Sequence, residues 1–287
     1  MSKIRYSRVY LRFKMWYKDF KFFLGLIFLF VFSTGCSEYS KIYKGTDTNL
    51  KFTKATELFQ HKEYTKSIQL FEQLQETYKG NSDSLAIVDI NIAYAYFNMK
   101  DFVTASMYFK DFTDKFAYNS RMIECAYMAL YCDVLSVGDA DLDQVTTPDI
   151  IEALQTFINH YPESNYVAKC NDHIDALRAI IQSKFYFQVK QYYLMKEYKA
   201  ASAAAQIAVL RYPDIPQKEE LDYIAYYAYY LFAMNSVESK RIERLLQTNT
   251  LIQEYLHSNP SNAPHVQNAL LIRQKNLNTI TKLKETT

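Results

Sequence analysis

Glycine and proline are scarce in this sequence, and their scarcity excludes whole classes of fold. Of 287 residues, only five are glycine and six are proline. Hairpin-rich β folds and phosphate-binding loops both need glycine at positions with positive φ, so the composition argues against both. No proline precedes Pro148. Because proline interrupts helices, its absence from so long a stretch is typical of a helical protein.

Motifs for catalysis and for metal binding are also missing. The five histidines form no H-E-x-x-H pair, and no G-x-S-x-G, P-loop or dinucleotide fingerprint occurs. Cys170 and His173 lie three residues apart, but two ligands without a third are weak evidence for a metal. Asp139, Asp141 and Asp143 alternate as in a calcium loop that lacks its glycine and glutamate. We therefore expect no cofactor, no metal and no enzymatic activity.

Cysteine is sparse, and its spacing does not favour disulfides. Besides Cys36, the chain has Cys125, Cys132 and Cys170. Cys125 and Cys132 lie seven residues apart in one helical pattern, about 10.5 Å along the axis, which exceeds the reach of a disulfide. We expect these three residues to be buried free thiols.

The long apolar run and the excess of basic charge are confined to residues 1–35. Seven basic side chains and one acid precede an apolar run from Phe22 to Phe32. As a helix, this run rises about 16 Å, half of a ~30 Å hydrocarbon core, so it is too short to span a membrane. This order of segments predicts a secretory signal peptide over residues 1–35, starting at Met1 or Met15.

The signal peptide accounts for the net positive charge of +2. Without residues 1–35, the remaining 26 basic and 30 acidic residues give a net charge of −4. A nucleic-acid-binding protein would keep a basic stripe, and none follows residue 35, so we expect no nucleic-acid partner.

Cys36 directly follows small residues and resembles the lipobox cysteine of bacterial lipoproteins. The resemblance implies that Cys36 is acylated, becomes the mature N-terminus and holds the protein on a membrane. Ser37, rather than Asp, is similar to the class destined for the outer membrane. Ser33 stands where a branched apolar residue is usual, so a plain secretory signal with an incidental cysteine remains the alternative. The polar residues 36–48 predict a flexible tether.

One short pattern occurs three times. A lysine, an acid and an aromatic are followed by a small residue three positions after the aromatic and by a second aromatic fourteen positions after it. The three copies begin at Lys62, Lys100 and Lys196. Each copy is preceded by another amphipathic segment with helical periodicity. The repeating unit is therefore predicted to be an antiparallel helix pair.

These pairs resemble the tetratricopeptide repeat, with small residues such as Ala93 and Ala105 at the helix contacts. The predicted fold is all-α: a right-handed α-solenoid of about five extended tetratricopeptide-like helix pairs. The run from Asn165 to Met195 has no helix breaker and predicts one long helix. The predicted domains are N-terminal repeats one to three over 49–163, C-terminal repeats four and five over 164–260, and a capping helix over 261–287.

The order of a lipoprotein signal and extended repeats narrows the resemblance. Segments such as Ser67–Leu74, Ala93–Phe97, Ala153–Pro162 and Asn235–Glu238 resemble the BamD family of outer-membrane lipoproteins, in the form found in Bacteroidetes-type bacteria. The resemblance covers roughly residues 30–270. It implies a non-catalytic scaffold on the periplasmic face of the outer membrane. Its expected partners are a BamA-like barrel protein, other subunits of the assembly machinery and unfolded outer-membrane proteins.

Aromatic residues on the first helices of the N-terminal pairs form the predicted peptide-binding surface. In arrays of this kind these helices line the concave side, where rings provide contact area and polar groups bond to a peptide backbone. For any single ring, a place in the core between helices is equally open. The candidates are Phe52, Thr56, Phe59, Tyr94, Phe97, Asn98 and Tyr127.

A cluster of tyrosines in the fifth pair forms the predicted partner-binding surface. The rings cover most of a helix circumference and so cannot all be buried. Outward hydroxyls would suit a polar-rimmed protein interface. Ala204 replaces an arginine that better-known family members carry, so that contact must be made by apolar packing or by another residue. The candidates are Arg211, Tyr223, Tyr226, Tyr227 and Tyr230, with Tyr229 in the same cluster.

Two rival functions remain open. A glycan-binding surface lipoprotein can carry similar repeats, although the chain has no tryptophan after Trp16 to stack on sugars. A generic cell-envelope scaffold with another partner is the second rival. Both would keep the same fold and the same lipid anchor.

Overall fold

The fold is all-α, which confirms the predicted class. The computed structural model describes residues 38–140, 142 and 144–285, and no strand occurs within these ranges. Cys36 and the predicted signal over 1–35 lie outside the described residues. The principal helices are α1 (Thr48–Gln60), α2 (Tyr64–Thr77), α3 (Ser82–Asn98), α4 (Phe102–Lys115), α5 (Met122–Leu135), α6 (Thr147–His160), α7 (Val167–Leu194), α8 (Tyr198–Arg211), α9 (Lys218–Met234), α10 (Glu238–Ser258) and α11 (Val266–Glu285).

The chain divides into two compact units, the first ending at Leu135 and the second starting at Ser136. In unit 1, each of α1 to α4 packs on the helix that follows it, and the same holds for each of α6 to α10 in unit 2. Packing of neighbours in chain order is typical of repeat proteins. The boundary between the two units falls between the two helices of the third predicted pair, and α6 packs on α7 within unit 2.

Small residues allow paired helices to approach closely, as the repeat pattern predicts. Ser67 of α2 is fully buried, and its hydroxyl donates to the carbonyl oxygen of Ala55 in α1 at 2.7 Å. Ser202 of α8 makes the same bond to Ala225 of α9, also at 2.7 Å. These bonds satisfy the buried hydroxyls and fix the contact between the two backbones.

Three hairpin turns share one hydrogen-bond pattern. Lys62, Lys100 and Lys196 follow the ends of α1, α3 and α7 and adopt positive φ angles of 63°, 62° and 63°. In the first turn, the N–H of Lys62 donates to Phe59 at 3.0 Å and the N–H of the next residue donates to Leu58 at 2.8 Å. This pair of bonds is the Schellman motif, and it recurs in the other two turns. The repeated triplets in the sequence therefore mark these turns.

The long helix predicted over 165–195 is present as α7, which has 28 residues. Its buried residues Cys170, Ile174, Leu177 and Ile181 recur at spacings of three and four, so they lie on one face of the helix. The three predicted thiols are free and buried, which confirms that expectation. Burial raises the pKa of Cys170 to about 11.

The predicted flexible tether is partly wrong. Residues 38–44 are helical, and Ile42 is only 8% exposed because it packs into the core cluster of α1 and α2. The hydroxyl of Tyr39 donates to Oε1 of Gln69 in α2 at 2.7 Å. Apolar contact and a hydrogen bond therefore hold this segment against unit 1, although its composition is mostly polar.

Candidate interaction surfaces

The predicted peptide-binding residues of α1 lie partly between helices. Phe52 contacts Phe71 of α2 edge-on with ring centroids 6.0 Å apart, and Phe59 contacts Tyr64 edge-on at 5.5 Å. Both rings pack against the core cluster and keep part of their surface exposed. The hydroxyl of Thr56 donates to the carbonyl oxygen of Phe52 at 2.9 Å, so its proton is used within the helix.

Tyr94 belongs to a charged network that joins α3 to α5. Its hydroxyl donates to the carboxylate of Glu124. Arg121 donates to the same carboxylate at 2.8 and 2.6 Å, and its guanidinium lies 5.6 Å from the centroid of the Tyr94 ring. The hydrogen bond from Arg121 holds the pKa of Glu124 below its ordinary value, and burial raises the pKa of Tyr94. The half-buried ring is therefore fixed in one orientation.

The other candidates of α3 meet the rings of α5. The Phe97 ring lies 5.9 Å from that of Tyr131, which stacks on Tyr127 at 5.9 Å. Tyr127 is only 5% exposed, so, contrary to the prediction, its ring is not available to a peptide in this structure. Asn98 is exposed at the end of α3, and its amide donates to the carbonyl oxygen of Tyr94 at 2.8 Å. The structure thus groups Tyr94, Phe97 and Asn98 on one face.

The tyrosines of α9 form a row of half-buried rings. Tyr223 stacks on Tyr227 with centroids 5.2 Å apart, and Tyr227 stacks on Tyr230 at 6.2 Å. At the other end of the row, Tyr223 stacks on His265 at 3.8 Å. Burial raises the pKa of Tyr223 to about 12, so this phenol is neutral at physiological pH. The row offers rings and hydroxyls along one side of the helix.

Tyr226 is not part of that exposed row, and its predicted role in partner binding is wrong. Its side chain is fully buried, and its ring lies 5.2 Å from the ring of Tyr255 in α10. The hydroxyl lies 3.2 Å from the carbonyl oxygen of His265 and 3.2 Å from Oδ1 of Asn268. Tyr226 therefore ties α9 to the start of α11, and a partner could reach it only if these helices separated.

Arg211 and Ala204 lie on α8. Arg211 is exposed, and its guanidinium lies 5.7 Å from the centroid of the Phe185 ring of α7. Ala204 is half-buried against the core cluster of unit 2. Arg211 is therefore the available cation at the end of this helix, whereas position 204 offers only a methyl group.

An apolar stripe on α8, made of Ala203, Ile207 and Leu210, was not among the predicted site residues. Ile207 is 53% exposed and Leu210 is 83% exposed. The buried residues of the helix, Ala201, Ala205 and Ala208, lie on its other side. The spacing of four and three residues between the stripe positions is visible in the sequence and could have revealed a second apolar face.

These surfaces and the fold define a class, the tetratricopeptide-like helical repeat proteins. None of the helices in the described part of the chain combines the length and the hydropathy that a membrane span requires. Within the same residues, no group of three or more His, Cys, Asp or Glu side chains could hold a metal ion. The surfaces described above include exposed aromatic and apolar side chains, which suit contacts with other proteins.

The family follows from comparison with known proteins. A family profile described as "YfiO: Outer membrane lipoprotein" matches residues 45–245, which is more than half of the chain. The protein therefore belongs to the YfiO family of outer membrane lipoproteins, a non-enzymatic scaffold type. The comparison with curated proteins returned no match.

Proposed function

We propose that this protein is a lipid-anchored scaffold of the β-barrel assembly machinery, of the BamD type found in Bacteroidetes. The family match over residues 45–245 supports this role. In this proposal, residues 1–35 are removed as a signal peptide, Cys36 carries the lipid, and the repeats lie on the periplasmic face of the outer membrane. The protein is not an enzyme and acts by positioning other proteins.

Unit 1 receives segments of unfolded outer-membrane proteins along α3 and α5. Tyr94 and Phe97 supply aromatic area, and Asn98 lies exposed beside them. Because Arg121 and Glu124 fix the ring of Tyr94, binding a peptide there costs little side-chain entropy. Phe52, Phe59 and Thr56 of α1 add a smaller contact through the parts of their side chains that remain exposed.

Unit 2 binds the BamA-like barrel protein, and the apolar stripe of α8 is the observation that carries this assignment. Leaving a large aliphatic side chain in water rather than burying it forfeits about 1.5–3 kcal/mol, and a partner that covers Ile207 and Leu210 recovers that energy. Ala203 has a short side chain, so a partner backbone can approach closely. Arg211 is exposed at the end of α8, and the tyrosine row of α9 offers a separate contact surface of unit 2 with polar hydroxyls.

Affinity purification from the native bacterium tests this assignment. The tagged protein is extracted in mild detergent, and the proteins bound to it are identified by mass spectrometry. We expect the wild type to recover a large barrel protein and the double variant Ile207→Asp/Leu210→Asp to lose most of it, because two carboxylates would be buried without partners. Both positions are exposed, so the free protein should fold normally.

Val145→Asp is the matched control, since Val145 is an apolar residue of unit 2 that is 74% exposed in a connection. It should recover the barrel protein as well as the wild type does. Failure of the wild type to recover any barrel protein would contradict the proposed function and favour a glycan-binding or generic cell-envelope lipoprotein. Full recovery by the double variant would contradict only the assignment to α8.

A further inference from the structure

The helical segment 38–44 is fastened to the first turns of α2. The Tyr39 hydroxyl donates to Gln69 at 2.7 Å, and Nζ of Lys66 lies 5.8 Å from the centroid of the Tyr39 ring. Ile42 packs into the core of α1 and α2. These contacts lie within unit 1 and make the segment part of it.

The fastening point is very close in sequence to the proposed lipid. Three peptide units separate Cys36 from Tyr39, so their Cα atoms are at most about 11 Å apart. Lys66 and Gln69 belong to the first two turns of α2, beside the hairpin turn that joins α1 to α2. The other end of the segment leads into α1, whose first turn contacts the far half of α2 through Lys51 and Gln73. The segment thus points its N-terminal end toward the hairpin turn.

The first two hairpin turns form one edge of unit 1, which we call the hairpin edge and define as residues 62–66 and 99–103. Residues 62–66 and Met99 line a common open hollow of about 250 Å³, so the two turns are adjacent. Met99 is 44% exposed and Val103 is 67% exposed. The edge therefore presents apolar side chains to solvent next to the fastened segment.

Two lysines of the hairpin edge are not paired with its acidic side chains. The carboxylate of Glu63 pairs with Lys66 at 2.6 Å, and that of Asp101 accepts the backbone N–H of Thr104 at the start of α4. Among the described residues, neither Lys62 nor Lys100 forms an ion pair. Two exposed lysines beside exposed apolar side chains match the composition of surfaces that meet lipid headgroups.

We propose that the hairpin edge of unit 1 faces the phospholipid headgroups of the membrane that holds the anchor, with Lys62 and Lys100 against their phosphates. The inference rests on the proposed acylation of Cys36. Since Tyr39 is docked and only about 11 Å of chain is available, the edge must lie near the lipid. Residues 38–44 thus form a packed segment that orients unit 1 on the membrane, and they do not act as a flexible tether.

Depth-dependent quenching tests this orientation on the acylated full-length protein. The protein is placed in vesicles of phosphatidylethanolamine and phosphatidylglycerol that contain a nitroxide-headgroup lipid, and a fluorophore is attached to Met99→Cys or to Lys79→Cys. The native thiols are buried, and burial raises the pKa of Cys125 and Cys132 to about 12, so labelling is selective. Lys79 follows α2 at its far end, about 21 Å from the edge along the helix.

We expect the Met99 label to be quenched several-fold more strongly than the Lys79 label. In a Tyr39→Ala background the difference should largely disappear while the protein stays on the vesicles, because only the fastening is lost. Tyr118→Ala, at a fully exposed tyrosine of unit 1, should leave the difference unchanged. Equal quenching at Met99 and Lys79 in the otherwise wild-type protein would overturn the proposal.

Charge reversal and flotation complete the test. The double variant Lys62→Glu/Lys100→Glu should lower the quenching of the Met99 label, and unchanged quenching would overturn the role given to the two lysines. Flotation with the vesicles, compared between wild type and Cys36→Ser, tests the anchor alone. If the wild type does not float, the proposed acylation fails; if it floats and the two labels are quenched equally, only the orientation fails.

Discussion

In each unit, one side chain makes contacts that hold neighbouring helices together. In unit 2, Tyr226 is buried among α9, α10 and the start of α11. In unit 1, Glu124 accepts hydrogen bonds from both Tyr94 and Arg121 and so joins α3 to α5. Because each repeat packs mainly on its neighbours, losing one such contact weakens a whole helix pair.

Removing the ring of Tyr226 should destabilise unit 2 strongly. We expect Tyr226→Ala to lower the free energy of unfolding by about 3–5 kcal/mol, since a large buried ring leaves a cavity. Tyr226→Phe keeps the ring and should cost about 1 kcal/mol for the lost hydrogen bond. Urea denaturation followed by circular dichroism measures both, and Tyr118→Ala should be neutral. A neutral Tyr226→Ala would show that this packing is wrong.

Glu124 should make the stability of unit 1 depend on pH. Its pKa is lowered in the folded protein, chiefly by the hydrogen bond to Arg121, from an ordinary value of 4.5. A lowered carboxyl pKa contributes stability that is fully present above about pH 4.5 and is lost as the pH falls through the folded value. Wild type should therefore exceed Glu124→Gln in thermal stability at pH 7, and the gap should narrow below pH 4.

Glu243→Gln serves as the control for this pH series, because Glu243 belongs to an ion pair on the surface of α10 and its side chain is 73% exposed. It should follow the wild type at every pH. A constant gap between wild type and Glu124→Gln from pH 7 to pH 3 would contradict the role of the carboxylate.

The sequence alone does not identify which tyrosine of α9 is buried. Five rings on α9 cannot all be buried, and this much follows from the helical period. Which ring is buried depends on His265 and Asn268, which lie about forty residues further along the chain and meet Tyr226 only after folding. Tyr127 is also buried, and it stacks on Tyr131 one turn further along α5.

At the scale of helices and turns, the three lysines at positive φ are unusual. Glycine is the common residue at this position of a Schellman turn, because a side chain there is strained by about 1 kcal/mol or more. Lys62, Lys100 and Lys196 all accept this conformation. The low glycine content thus excluded β hairpins correctly but did not exclude left-handed turn residues.

Lys196→Gly should therefore stabilise the protein by about 1 kcal/mol by relieving the strain at the turn between α7 and α8. Lys196→Ala should give no such gain, since alanine keeps the strained Cβ. Ala203→Gly, at an exposed position inside α8, should instead cost about 1 kcal/mol. Equilibrium unfolding of the three variants measures this, and a destabilising Lys196→Gly would contradict the assigned turn geometry.

Helices were predictable where the apolar period was strong, and less so where packing decides. The repeated triplets and the breaker-free run predicted the paired helices and α7 because these features are local. Residues 38–44 are polar and short, and they are helical because Tyr39 and Ile42 dock on α2. The apolar stripe of α8 is hard to predict from the sequence because alanines lie on both faces of the helix, so the two faces differ little in hydrophobicity.

At the scale of the whole molecule, we propose that different surfaces make different contacts. In the proposed function, the aromatic face of α3 and α5 would bind unfolded clients, the apolar stripe of α8 would bind the barrel protein, and the hairpin edge would face the membrane. Membership of the YfiO family of outer membrane lipoproteins is consistent with a scaffold of this kind. These roles together predict that barrel assembly stops when the protein is missing.

Depletion of the protein in its native bacterium tests that claim most directly. Outer membranes are isolated at intervals after expression is switched off, and their barrel proteins are quantified by mass spectrometry against lipoproteins that need no barrel assembly. We expect barrel proteins to fall progressively relative to these lipoproteins and growth then to cease. Outer membranes with an unchanged content of barrel proteins after complete depletion would contradict it.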